Sequence, residues 1–232
     1  MLVLGIVESP LELVPSIIAQ HSAVQAAAKA RRKKAEHTLL DEALHSAALK
    51  MLPDCEKRGR PDVLHRSLLT ALDSVLAREN LLKLFVHTSD EAIIEVKPET
   101  RLPRRFARFT GLMEQLLLTK RVPPKGTALM QLRRRKLAVH IQRLKPSCTF
   151  LLTETGTPTP PTELAKSICS EDKPLVMIGG FAHGFFTSTT MQLAERKVCV
   201  YPAPLPASTV IGIVLHSVAN QLKLSEQRFN PV

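Results

Sequence analysis

Three short apolar runs in the last third of the chain, residues 149–152, 175–178 and 197–201, each end in a loop rich in glycine or proline. Helix-length stretches separate them. Short apolar runs with that punctuation read as buried strands. Strands that alternate with helices imply an α/β layer structure with a largely parallel sheet. In open sheets of this kind, ligands bind beyond the carboxyl ends of the strands, where the loops gather. The loops in question are Thr153-Glu154-Thr155-Gly156, Gly179-Gly180-Phe181-Ala182-His183-Gly184 and Pro202-Ala203-Pro204-Leu205-Pro206-Ala207.

The remainder of the chain adds elements to that sheet. Residues 2–7 read as a further buried strand, with Glu8-Ser9-Pro10 as a helix start and a helical pattern over 11–49. The basic run Lys29, Arg31, Arg32, Lys33, Lys34 interrupts that pattern; a solvated face accounts for it, and so does a binding site. Pro61 suits a first helical position, and Asp62 suits a first turn, where backbone N–H groups lack partners. Leu64, Leu68, Leu72 and Leu76 then recur at four-residue spacing, which marks a packed helix face. Residues 82–87 and 92–96 read as a hairpin. Arg101-Leu102-Pro103-Arg104-Arg105-Phe106 opens another helix, with Leu112, Met113, Leu116 and Leu117 as its apolar stripe. Residues 122–126 form a loop, and Arg133-Arg134-Arg135-Lys136 is a second basic cluster. A final helix over 207–222 is apolar on nearly every side and needs cover from the core or from a second subunit.

Charge narrows the choice of partner. Thirty-two Lys and Arg against 21 Asp and Glu leave +11 over 232 residues. Such a balance attracts polyanions, nucleic acid being the commonest; a solvated basic surface produces the same count. Four dispersed cysteines without a C-x-x-C pair argue against a zinc ribbon or a disulfide framework and suit a reducing cytoplasm. The longest apolar run, residues 210–222, is too short to span a bilayer, and no secretory signal is visible. With no Trp and one Tyr, aromatic platforms for stacking bases are poorly supplied.

Two signals bear on chemistry. Glycines and prolines, instead of catalytic carboxylates, stand at the three strand ends. They let a backbone approach a ligand closely and hold its carbonyls in place, as in a pocket that reads a heterocycle; simple tight turns use the same residues. G-x-G-x-x-G, the P-loop, H-E-x-x-H and G-x-S-x-G are all missing. Arg104, Arg105 and Arg108 fall in the first turns of the helix opened by Pro103, where the dipole disfavours cations. An external phosphate would offset that repulsion, as would salt bridges to distant acids.

At these residues the chain resembles a known family. Arg58-Gly59-Arg60-Pro61-Asp62-Val63-Leu64-His65 is similar to the R-P-D-I-x-H signature of the Nep/Emg ribosomal RNA pseudouridine N1-methyltransferases. Residues 95–117, the stretch Ile178-Gly179-Gly180-Phe181-Ala182-His183-Gly184 and Tyr201-Pro202-Ala203-Pro204-Leu205-Pro206-Ala207-Ser208 resemble its later blocks in order, as residues 11–15 resemble its opening. The compact length is closer to archaeal members than to eukaryotic ones.

The resemblance implies a single SPOUT domain over 1–232: an α/β knot with a C-terminal trefoil within about 149–225 and an added N-terminal helical and hairpin elaboration. It implies a cytoplasmic homodimer that binds S-adenosylmethionine and small-subunit ribosomal RNA, with no metal and no membrane. Thr153, Gly179, Gly184, Val200, Tyr201, Pro202, Ala203, Pro204 and Leu205 would line the cofactor site. Arg60, Arg101, Arg104 and Arg108 would hold the RNA. Asp62 would steady Arg60, or serve as the base that takes a proton from N1. Arg105 lies outside the motif, and Ala182-His183 receives no role. Competing readings are an RNA-binding ribosome-assembly factor with little or no methyltransferase activity, and a SPOUT enzyme aimed at another RNA position.

Overall fold

The computed structural model describes residues 1–229, so the last three residues of the expected 1–232 domain lie outside the described ones. Eight strands form one sheet: β1 (Leu2–Ser9), β2 (Leu82–Thr88), β3 (Ala92–Val96), β4 (Arg121–Val122), β5 (Met130–Arg134), β6 (Cys148–Pro158), β7 (Pro174–Gly179) and β8 (Arg196–Cys199). Their order is β4-β5-β3-β2-β1-β7-β6-β8. From β2 to β8 every pairing is parallel; β2–β3, β3–β5 and β5–β4 are antiparallel. The expectation of a largely parallel sheet therefore describes one half, and the hairpin at β2–β3 turns the other half antiparallel.

All eight residues of β1 are buried. That is why it reads as a continuous apolar run: a parallel strand is covered on both faces. Leu2, Leu4 and Ile6 point into a core shared with helices α3 (Pro61–Leu72), α5 (Phe106–Thr119), α7 (Pro161–Cys169) and α9 (Ala207–Gln221). Val3 and Val7 point the other way, toward Phe85, Leu175, Met177 and the helix α6 (Leu137–Leu144). Burying one such side chain contributes about 1.5–3 kcal/mol; with both faces apolar, register is set by packing, and a Cβ at Gly5 would lie 2.5 Å from the Phe85 ring. A smaller cluster packs α1 (Ser22–Ala30) on α2 (Glu42–Leu49) around Ile18, Val24 and Leu40. The short helices α4 (Val75–Arg78), α8 (Ser188–Gln192) and α10 (Leu224–Phe229) complete the chain.

Several expectations need correction. Glu8 and Ser9 do not start a helix; they end β1, and the pattern over 11–49 divides into two 3₁₀ turns besides α1 and α2. Leu64 and Leu68 share α3, whereas Leu76 belongs to α4. The helix expected at Pro103 begins at Phe106, because the Pro103 carbonyl is taken by His65 Nε2 at 2.8 Å and the chain stays non-helical there. The basic cluster at 133–136 overlaps β5, which carries only Met130 and Leu132 as buried apolar residues. Helix α9 buries Ile211, Val214, Leu215 and Val218 but leaves Thr209, His216 and Asn220 in solvent.

At the carboxyl end of β6 the register against β8 shifts between Leu152 and Thr157. Gly156 permits the close approach: a Cβ there would lie 2.5 Å from the Val198 backbone nitrogen. This irregularity opens the sheet where the loops of β6, β7 and β8 converge.

Candidate active site

A cleft of about 630 Å³ lies at those three strand ends. Thr153 borders it from β6, Gly179 and Gly184 from the β7 loop, and Val200, Tyr201, Ala203, Pro204 and Leu205 from the β8 loop. Pro202 is exposed and does not face the cleft, so eight of the nine residues expected around a cofactor line one cavity. Gly184 has φ +91°, and a Cβ on it would meet Lys57 at 2.6 Å; only glycine suits this turn.

Helix α3 and its N-cap add Arg60, Val63 and Arg66 to the lining. Arg60, at the N-cap, places Nε 2.8 Å from Asp62 Oδ1 and Nη2 3.0 Å from Oδ2, a two-pronged bond that fixes the guanidinium plane. Arg66 also donates to Asp62 Oδ2. The hydrogen bond from Arg60 holds the Asp62 carboxyl below the usual carboxylate range against the opposing effect of burial, and Arg66 adds to it. Both oxygens of Asp62 thus accept from cations.

The other expected RNA-binding arginines stand outside the cleft. Arg101, Arg104 and Arg108 are exposed, as is Arg105. Arg104 pairs with Asp73 at 3.2 Å in solvent; no ion pair of Arg101, Arg105 or Arg108 occurs among the described residues. Only Arg108 lies inside α5, whose first turn holds no acid and whose N-cap, Arg105, makes no side-chain cap. Stacking of His65 on Phe109, with ring centroids 4.3 Å apart, ties this segment to α3.

The basic run before residue 35 proves to be partly structural. Arg31 and Lys33 both donate to Glu114, which is almost fully buried, and Leu39 N–H adds a third donor at 2.9 Å. Burial pushes the Glu114 carboxyl up, but these hydrogen bonds outweigh it and hold it below its ordinary value. An acid inside the apolar stripe of α5 was the available signal. Sequence reasoning placed Phe181 in the loop after β7 but missed Phe185 and Phe186, which follow Gly184 at the cleft.

Among the described residues no cluster of His, Cys, Asp and Glu could hold a metal ion, and no helix is long and apolar enough to cross a membrane. The four cysteines are free.

Fold and cleft together define an α/β ligand-binding protein whose pocket is cut into the ends of parallel strands beside a cationic rim. A family model described as EMG1/NEP1 methyltransferase matches residues 4–219. The chain belongs to that family. It is 43% identical over 215 residues to the ribosomal RNA small subunit methyltransferase Nep1 of Thermococcus onnurineus, covering 93% of this chain and 96% of that one. The Nep1 of Staphylothermus marinus is 40% identical over 211 residues, covering 90% and 91%. The crystal structure of Archaeoglobus fulgidus Nep1 bound to S-adenosylhomocysteine superposes with a TM-score of 0.85 at 34% identity, over 95% of this chain and 98% of that one.

Proposed function

We propose that this chain is an S-adenosylmethionine-dependent methyltransferase of small-subunit ribosomal RNA, placing its methyl group on N1 of a pseudouridine. One observation carries the reading: three backbone-lined strand ends and an Arg60 held flat by Asp62 meet in a single cleft. The relatives' activity and the S-adenosylhomocysteine in the Archaeoglobus protein support it.

The residues present fit the donor. The cleft is within the size range of small-molecule sites, and its glycines offer backbone N–H and C=O groups to a nucleoside. Bound there, S-adenosylmethionine supplies a methyl group on a positively charged sulfur. Thr153, Gly179, Gly184, Val200, Tyr201 and residues 203–205 would hold it. Arg60 would orient the nucleotide at the cleft, while Arg101, Arg104 and Arg108 grip phosphates along the rim. Alignment of acceptor and donor supplies much of the rate. N1 must also lose a proton. Asp62, with both oxygens occupied and its carboxyl held low, is a weak acceptor; its task is to position Arg60.

Residues 1–232 act as one SPOUT domain with the knot inside about 149–225, in the cytoplasm and as a homodimer. Light scattering should give twice the 25.7 kDa chain mass; one chain's mass would remove the dimer. Calorimetry with S-adenosylmethionine tests the reading itself. Micromolar binding is expected. RNA binding without any donor binding would leave an assembly factor instead.

A further inference from the structure

We infer that Phe185 is a stacking plate for an unpaired RNA base at the mouth of the cleft, a role that rests on the reading above. Among the described residues three phenylalanine or tyrosine rings are exposed: Phe185 at 71%, Tyr201 at 53% and Phe229 at 85%. The first two line the same cleft. Leaving a phenylalanine in water forgoes about 1.5–3 kcal/mol of burial, so its position calls for a cause.

Slackness of the loop is not that cause. Thr187 donates its N–H and hydroxyl to the buried carboxylate of Glu8 at 2.9 and 2.7 Å, and Gly180 N–H donates to the Val7 carbonyl at 2.7 Å. Between these anchors, the Lys57 ammonium donates to the Phe185 carbonyl at 2.5 Å. Phe181 and Phe186 meet edge to face, 5.1 Å apart, while Phe185 between them stays in solvent. The turn is held from three sides with one ring presented outward, so little order remains to be gained on binding. Arg60 and Arg66 line the same cleft. An apolar ring beside guanidinium groups is the combination with which single-stranded RNA is held: stacking for the base, cations for the phosphate. The adenine of the donor is the other heteroaromatic ring in reach, and the experiment separates the two.

The test uses the full-length protein at fixed salt with a pseudouridine-containing hairpin from small-subunit ribosomal RNA, and with the same hairpin made abasic at that nucleotide. F185A should weaken binding to the intact hairpin about five- to hundredfold. F185L should stay weak, having bulk without a π face, and F185W should restore affinity. On the abasic hairpin, wild type and F185A should bind alike. S-adenosylhomocysteine affinity and the mass in light scattering should not change. Equal losses on both hairpins, no loss on either, or a loss confined to S-adenosylhomocysteine each overturn the assignment. Because the readout is binding, it stands apart from whether the wild-type protein transfers a methyl group.

Discussion

Asp62 lies between two guanidinium groups, and its neighbours limit what it can do. A carboxylate that accepts from Arg60 through both oxygens, and from Arg66 as well, has little basicity left for a substrate proton. Asp62→Asn should therefore act through Arg60: KM for RNA rises about tenfold, S-adenosylmethionine affinity holds, and the pH profile of the rate keeps its acid limb. Loss of that limb, with KM unchanged, would return Asp62 to the role of base. Arg108 has a different duty, being exposed at the first turn of α5 with no acid nearby. Arg108→Ala should weaken RNA binding and lower the slope of log affinity against log salt by about one. An unchanged slope would mean that it touches no phosphate. The Arg60–Asp62 pairing was anticipated only through the family resemblance, since side chains two residues apart need not face each other. Glu114 and its partners were not anticipated. More than seventy residues separate them, and no local pattern links positions so far apart.

Helix α5 is where short-range and long-range logic part. Of its stripe of Leu112, Met113, Leu116 and Leu117, readable from spacing, Met113 and Leu116 are fully buried and the other two half-buried. The helix start was not readable, since a proline that looks like a first helical residue instead gives its carbonyl to His65. Strand β5 escaped for a similar reason: it lies next to the sheet edge, paired outward only with the two-residue β4, and Arg133 and Arg134 mask the alternation. Strands β1 and β7 were plain because burial on both faces leaves almost no polar positions to confuse the pattern. Glu114 joins α5 to the segment after α1, and removing its charge tests that joint. Glu114→Gln should cost about 2 kcal/mol, the two cations being partly solvated, or about 4–8 °C in Tm. The pH dependence has a definite sign. The carboxyl is held below its ordinary 4.5, so its contribution is complete above that value and fades as pH falls through the folded-state value. The variant should lose that part of the acid sensitivity; an unaltered acid unfolding profile would show that the joint contributes nothing.

Across the whole molecule, the two halves of the sheet divide the labour. The parallel half ends in loops that close around the cleft, and the start of α3 brings Arg60 and Arg66 to its lining, while the arginines before and within α5 lie outside it. The net charge of +11 draws RNA toward that surface, and the backbone-lined pocket gives the encounter a chemical outcome. Sequence alone could reach the glycine- and proline-rich strand ends, which are local events, but it could not reach the two halves of the sheet or the start of α5, nor place Arg60 inside the cleft and Arg104 outside it. The most direct measurement is mass spectrometry of two otherwise identical small-subunit hairpins, one with pseudouridine and one with uridine at the target position, after incubation with protein and S-adenosylmethionine. The account predicts one added methyl group, on the pseudouridine hairpin alone. Methylation of both hairpins, or of neither despite donor binding, would contradict it.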